Sequence, residues 1–479
     1  MRPKLKFSHQ IERPRRTASS CISVAVFLIA AALFSPVSAQ TACDAPSNEV
    51  LLNLINQSDL AAVASQHRLE PTPLGQAGSP PTYRMRLRGD NTQNPCQVAT
   101  ALATDARVAR AEANVKLSAA ERPGLPWTLG RSWAIGRSWA IGRSWAIGGG
   151  VANHKRQWFP QMIRLDQAHT GTPGNPGNRG TRTDNGQPVV VAVLDTGIDP
   201  DHPMFAGRLV PGYDFVSSDA DPREEGIAWQ DPVYGHGTHV AGIVAMVAPE
   251  AKIMPIRVLD RDGSGELWRV TAAIIWAANN GADVINISFG YNSEPKLLKN
   301  LLDNCDGTPL PGGQTFPELL RNVTVVSGAG NGGRIGNGGA AIYPAGTRID
   351  AQIGVAATTR NDGLWEHSTM SLGDSGGQRF IRGAAPGDDI ISAIPGGRFG
   401  TWSGTSMAAP VVAGVAALVK GKFPALTPNL IVEHIEDTGI EWECNHPTRG
   451  SVIKTSRVDA YCAVSNNKTC GFDANACNR

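Results

Sequence analysis

Val189-Val-Val-Ala-Val-Leu-Asp-Thr-Gly-Ile198 is the stretch on which the fold turns. Residues 189–194 are apolar without alternation, and most are β-branched. A strand that is apolar on both sides must be buried on both faces, as in a parallel sheet covered by helices above and below. Thr196-Gly197 ends the run, so Asp195 falls at the strand's C-terminal edge, where open α/β sheets carry their sites. Outward from this strand, helix-like and strand-like runs alternate at 238–247, 252–258, 270–279, 284–287 and 323–326. The alternation predicts an α/β fold with a parallel sheet and helices on both faces, a three-layer arrangement over residues 157–465.

Two further segments carry chemistry. Gly-His-Gly-Thr-His-Val-Ala-Gly spans 235–242, and Gly-Thr-Ser-Met-Ala-Ala-Pro spans 404–410. A serine hydroxyl is a weak nucleophile unless a base takes its proton. An imidazole, with an ordinary pKa near 6.5, suits that task, and a carboxylate fixes its tautomer. His236 precedes a helix-like run whose first turn presents it. Ser406 opens another, where unpaired N–H groups and the helix dipole favour a developing oxyanion. Pro410 is expected to be tolerated there, at an early helical position with no obligatory N–H bond to lose.

The chain order Asp195, His236, Ser406 is that of subtilisin, and residues from about 158 to about 464 resemble the subtilisin family (subtilases) of serine endopeptidases. The resemblance implies Ser406 as nucleophile, His236 as general base and then acid, and Asp195 as the orienting carboxylate. It implies that Asn331, in Val-Val-Ser-Gly-Ala-Gly-Asn-Gly-Gly at 325–333, donates to the oxyanion; on the residues alone, Asn331 reads equally as a turn residue. It also implies a groove for an extended peptide between Gly263, Ser264 and Gly265 on one side and Ser288, Phe289 and Gly290 on the other. Gly328, Ala329 and Gly330 would line the primary pocket. The resemblance leaves side-chain specificity open, and it implies an acyl-enzyme mechanism that requires no cofactor. Two alternatives stay open: a catalytically silent binding domain, whose signature would be a lost triad residue or a broken Asn331 segment, neither of which is seen, and a dedicated processing protease with one target. His239 reads as a packing residue, His202 as a turn residue, and His367, His434 and His446 have no partners at zinc-ligand spacing.

The rest of the chain reads as a precursor. Residues 1–39 have a basic start, an apolar stretch at 22–34 and Val-Ser-Ala at 37–39 before the cut, the pattern of a signal peptide. The expected location is therefore secreted, periplasmic or extracellular, with no stable membrane insertion once the signal is removed. Residues 40–122 mix helical and strand patterns and resemble the small α+β propeptide of secreted subtilases, which acts as an intramolecular inhibitor; an ordinary accessory domain is the other reading. Residues 123–156 carry Gly-Arg-Ser-Trp-Ala-Ile three times between 130 and 147. Three hexads bury too little to fold alone, so they read as a linker, with docking or adhesion as the alternative. Residues 466–479 form a cysteine-containing tail.

The chain has 479 residues, a formal net charge of +2 and 8 cysteines. That charge argues against nucleic acid as a main partner; proteins and peptides as substrates are what the family resemblance implies. Eight cysteines in an exported chain point to disulfides, with Cys43 and Cys96 able to pair and two bridges expected among Cys444, Cys462, Cys470 and Cys477. Cys305 has no obvious partner. The acidic run at 214–231 reads either as a structural calcium loop or as a solvated surface, so metal ligands stay unassigned.

Overall fold

The computed structural model describes residues 45, 47–119, 157–227, 230–231, 233–292, 294–302, 318–332, 341–347, 349–369, 381–445, 452–468 and 472–473. The expected signal peptide, the Gly-Arg-Ser-Trp-Ala-Ile repeats, Cys43, Cys305, Cys470 and Cys477 lie outside them.

The N-terminal segment forms strands β1 (Glu49–Leu54), β2 (Gly75–Ala77), β3 (Thr82–Arg86) and β4 (Val108–Ala113) with helices α1 (Leu60–Gln66) and α2 (Pro95–Leu102). Its sheet order is β2-β3-β1-β4, with β1 antiparallel to both neighbours. Helix α2 starts where the sequence allows. The Asn94 side chain accepts from the Gln97 N–H, the Gln97 side chain accepts from the Asn94 N–H, and Pro95 takes the first helical position. Strand β1 alternates: Val50, Leu52 and Leu54 fill this segment's own core, while Leu51 joins the core of the larger body. Beyond β4 the chain adds a short strand, β5 (Lys116–Ala119), absent from the sequence reading.

After two short helices (Phe159–Met162 and Leu165–Thr170), the larger body runs through β6 (Val190–Asp195), β7 (Tyr213–Asp214), α3 (His236–Val247), β8 (Lys252–Arg257), β9 (Ser264–Glu266) and α4 (Leu267–Asn279). It continues with β10 (Val284–Ile287), β11 (Phe289–Gly290), α5 (Lys296–Leu302), β12 (Thr324–Gly328) and β13 (Gln352–Thr358). Then come β14 (Ile381–Pro386), β15 (Ile390–Ile394), β16 (Arg398–Trp402), α6 (Thr405–Lys422), α7 (Pro428–Thr438), β17 (Ile440–Asn445), β18 (Val452–Arg457) and β19 (Phe472–Asp473). The main sheet runs β19-β17-β18-β14-β13-β12-β10-β6-β8-β7. From β7 to β18 every pair is parallel, and β17 then pairs antiparallel with β18.

The unbroken apolar run in β6 has the expected cause. Val191 and Val193 face one core with residues of α3 and α6, while Ala192 and Leu194 face the other with residues of α4. Each such side chain contributes about 1.5–3 kcal/mol on burial, which anchors β6 in the middle layer. From β6 the chain crosses through α3 to β8 on one side, then through α4 to β10 on the other. The order therefore reverses at β6, and Asp195 ends that strand at the switch point.

Candidate active site

Asp195 and His236 meet at the C-terminal edge of β6. His236 opens α3, and its Nδ1 lies 2.6 Å from Asp195 Oδ1, with both side chains fully buried. The same Oδ1 accepts from the Thr196 N–H at 2.8 Å. A carboxylate can only accept at neutral pH, so it places the imidazole proton on Nδ1 and leaves Nε2 as the basic nitrogen. Two glycines permit the approach. Gly197 has φ +118°, and a Cβ on Gly237 would sit 2.1 Å from the Gly197 carbonyl oxygen.

Ser406 lies in the first turn of α6 and exchanges bonds with Ser288, the residue just after β10. Its Oγ donates to the Ser288 carbonyl at 3.0 Å, and the Ser288 Oγ donates to the Ser406 carbonyl at 3.0 Å. The second bond corrects the expectation for Pro410. Helix α6 starts at Thr405, so a residue at 410 would normally donate its N–H to the Ser406 carbonyl, and proline cannot. The Ser288 hydroxyl supplies the missing donor.

Asn331 follows β12 and turns its side chain toward the same helix start. Its Oδ1 accepts from the Thr405 N–H at 2.9 Å and the Thr405 hydroxyl at 3.0 Å. These two bonds fix the orientation of the amide through its oxygen. A Cβ at Gly404 would come within 3.1 Å of the Asn331 Nδ2. Thr405, next to Ser406, is a residue whose role the sequence left unread; its hydroxyl also accepts from the Gly330 N–H at 3.0 Å.

The two candidate groove walls are strands β9 and β11, and β5 fills the space between them. Ser118 pairs with Ser264 and with Gly290, Leu117 with Gly265, and Ala119 with Phe289, all antiparallel. Gly263 forms the turn before β9 with φ +72°. Gly328 ends β12, and a Cβ there would meet the Thr405 backbone at 3.1 Å, so this wall is tight against α6. Ala329 is fully buried behind it.

Other histidines are structural. His239 stacks on Trp402, with ring centroids 4.7 Å apart, and its Nε2 lies near the carbonyls of Ile390 and Gly400. Burial holds it neutral, with a pKa lowered to about 3. Trp402 also stacks on His236 at 5.7 Å. His202 caps a short turn, its Nδ1 accepting from the Met204 N–H.

Several carboxylates of the acidic run are engaged by protein donors. Asp214 Oδ1 accepts from the Val216 and Ser217 N–H groups, while its Oδ2 and the carboxylate of Glu225 pair with Arg257. Asp231 accepts from the Ile227 N–H, and Glu224 turns inward. Among the described residues, no three His, Cys, Asp or Glu side chains converge as metal ligands would.

Residues 186–463 match the Subtilase family. The chain belongs to that family, a family of serine proteases. It is 33% identical over 319 residues to the thermophilic serine proteinase of Bacillus sp. (strain AK1), across 64% of this chain and 67% of that protein. It is also 33% identical over 319 residues to thermitase of Thermoactinomyces vulgaris, across 64% of this chain and 96% of that protein. In three dimensions it is similar to the crystal structure of fervidolysin from Fervidobacterium pennivorans, described as a keratinolytic enzyme related to subtilisin. That likeness has a TM-score of 0.62 at 23% identity, over 88% of this chain and 61% of the other, and speaks for the fold.

Proposed function

We propose that this chain is the precursor of an exported serine endopeptidase that hydrolyses peptide bonds of proteins through an acyl-enzyme. The buried Asp195–His236 hydrogen bond at 2.6 Å carries the reading. Ser406 Oγ attacks the substrate carbonyl, and its proton passes to His236 Nε2 as Asp195 stabilises the imidazolium. Negative charge develops on the carbonyl oxygen, met by the Asn331 amide and the backbone N–H at the start of α6. His236 then protonates the leaving amine, and water releases the acyl group by the same steps in reverse. None of these steps needs a metal.

The substrate would enter as an added strand between β9 and β11, held by main-chain bonds that read the shape of an extended peptide. That β5 already occupies this position supports reading residues 40–122 as an inhibitory propeptide. Export by residues 1–39 is supported by the cysteine usage of the chain, 8 in all, which suits an oxidising compartment. Among the described residues, no helix is long and apolar enough to cross a membrane.

The test is casein hydrolysis by the exported protein beside Ser406→Ala, with mass spectrometry of each N-terminus. The wild type should cleave casein and begin between residues 123 and 157. The variant should be inactive and keep residues 40–122 attached. An active Ser406→Ala protein would remove the nucleophile assignment. A processed but inactive wild type would favour a binding domain or an enzyme with one dedicated target.

A further inference from the structure

The carboxylate of Glu224 touches both motif segments at once. One oxygen accepts from the hydroxyl of Thr196, which follows Asp195, and from the N–H of Gly235, which precedes His236, the latter at 3.0 Å. The other accepts from the N–H of Thr238 at 3.1 Å and from its hydroxyl at 2.6 Å. The Thr196 hydroxyl in turn accepts from the Gly237 N–H at 2.9 Å. Gly235, Gly237 and Thr238 are therefore tied, directly or through Thr196, to one carboxylate, and they surround His236 in the chain. The Glu224 segment is itself fastened to the strand end. The Glu224 N–H donates to the Ile198 carbonyl at 2.9 Å, and the Ile198 N–H donates to the Pro222 carbonyl at 3.0 Å.

Four donors converge on Glu224 and call for a group that only accepts. A glutamine would turn its NH₂ toward N–H or O–H donors on one arm. The neighbouring cations are engaged elsewhere: Arg223 pairs with Asp201, and Arg257 with Asp214 and Glu225. Among the described residues, Glu224 meets hydrogen-bond donors and is paired with no cation. Burial raises its pKa, and the bonds from Thr196 and Thr238 oppose that rise.

We propose that Glu224 is a positioning residue, whose carboxylate locks the end of β6 to the first turn of α3 and so holds His236 at bonding distance from Asp195. The inference rests on the Asp195–His236–Ser406 reading and adds a fourth residue to it. The titratable groups around His236 are Asp195 at the end of β6, Glu224 and Tyr234 on the preceding loop, Asp199, whose N–H donates to the Thr238 hydroxyl, and His239 on the same helix.

The experiment uses the matured protein, with active sites titrated so that only folded molecules count. Steady-state cleavage of a chromogenic peptide amide is followed across pH for wild type, Glu224→Gln and Thr196→Val. In Glu224→Gln, kcat should fall about ten- to a hundred-fold with KM little changed, the scale expected for a small misplacement of a catalytic group. Its acidic limb should also move to lower pH, because a negative charge that favours the imidazolium is gone. Thr196→Val, which cuts one arm without touching a charge, should lower kcat and leave the limb in place. Unchanged kcat per active site in both variants overturns the proposal, even if they melt at lower temperature. An unmoved limb in Glu224→Gln likewise overturns it, by reducing Glu224 to a structural brace. A Ser406→Ala control separates the two readings, since residual cleavage there would undo the triad itself.

Discussion

At the scale of single residues, the site depends on partners that orient reacting groups. Asn331 is held by two bonds from Thr405 to its oxygen, and in the proposed mechanism its NH₂ meets the oxyanion. Replacing it with leucine keeps the volume and removes the donor. We expect kcat to fall by about 10²–10³ with KM nearly unchanged, a magnitude that comes from subtilisin itself. An unchanged kcat in steady-state assays would return Asn331 to the turn role its local sequence also allows. The proposed reacting residues stand out in the sequence because each lies in a motif whose spacing serves its chemistry. Their orienting partners do not. Glu224 reads in the sequence as one acid among many, and only the folded chain turns it inward while Asp214 and Glu225 meet Arg257. Likewise, nothing local to Ser288 announces that its hydroxyl replaces the N–H missing from Pro410, 122 positions away.

At the scale of elements, the two helices that carry His236 and Ser406 pack directly on each other. A Cβ at Gly414 of α6 would lie 2.5 Å from Val247 Cβ of α3, so the crossing is close because one helix has no side chain there. Gly414→Ala must push the helices apart or bend one. Such overpacking costs about 1–3 kcal/mol, enough to lower Tm by several degrees in a body of this size. Calorimetry in the Ser406→Ala background, free of self-digestion, measures that loss. In the active protein the same change should also lower kcat, since the displaced helices carry the reacting groups. An unaltered Tm would mean that α3 and α6 can slide without penalty. The elements themselves were largely legible, because strands buried on both faces and long apolar helices declare their period. Strand β5 was not, since four residues gain strand character only from partners about 150 and 170 positions on.

At the scale of the whole molecule, the N-terminal segment is fastened to the body at more points than the groove alone. The Glu112 carboxylate accepts from the N–H groups of Lys296 and Leu297, in the first turn of α5, at 3.1 and 2.9 Å. The Asn114 side chain accepts from the Trp268 N–H at 3.0 Å and donates to Glu266 at 2.9 Å. Leu51 packs into the body's core. Glu112 and Asn114 lie immediately before β5, so they set where β5 enters between β9 and β11. Removing the Glu112 cap should loosen that entry by the usual worth of a helix cap, about 0.5–2 kcal/mol. In the uncut Ser406→Ala chain, the amides of β5 are protected by pairing with β9 and β11, and their exchange reports local opening. Glu112→Ala should therefore speed hydrogen exchange in β5 by roughly two- to thirty-fold, the same free energy expressed as a rate ratio. The amides of β6, deep in the main sheet, should keep their rates. Equal acceleration in both strands would mean that Glu112 supports global stability. No acceleration in β5 would mean that the strand pairs hold the segment in the groove without help from the cap, leaving release to depend on the cut alone.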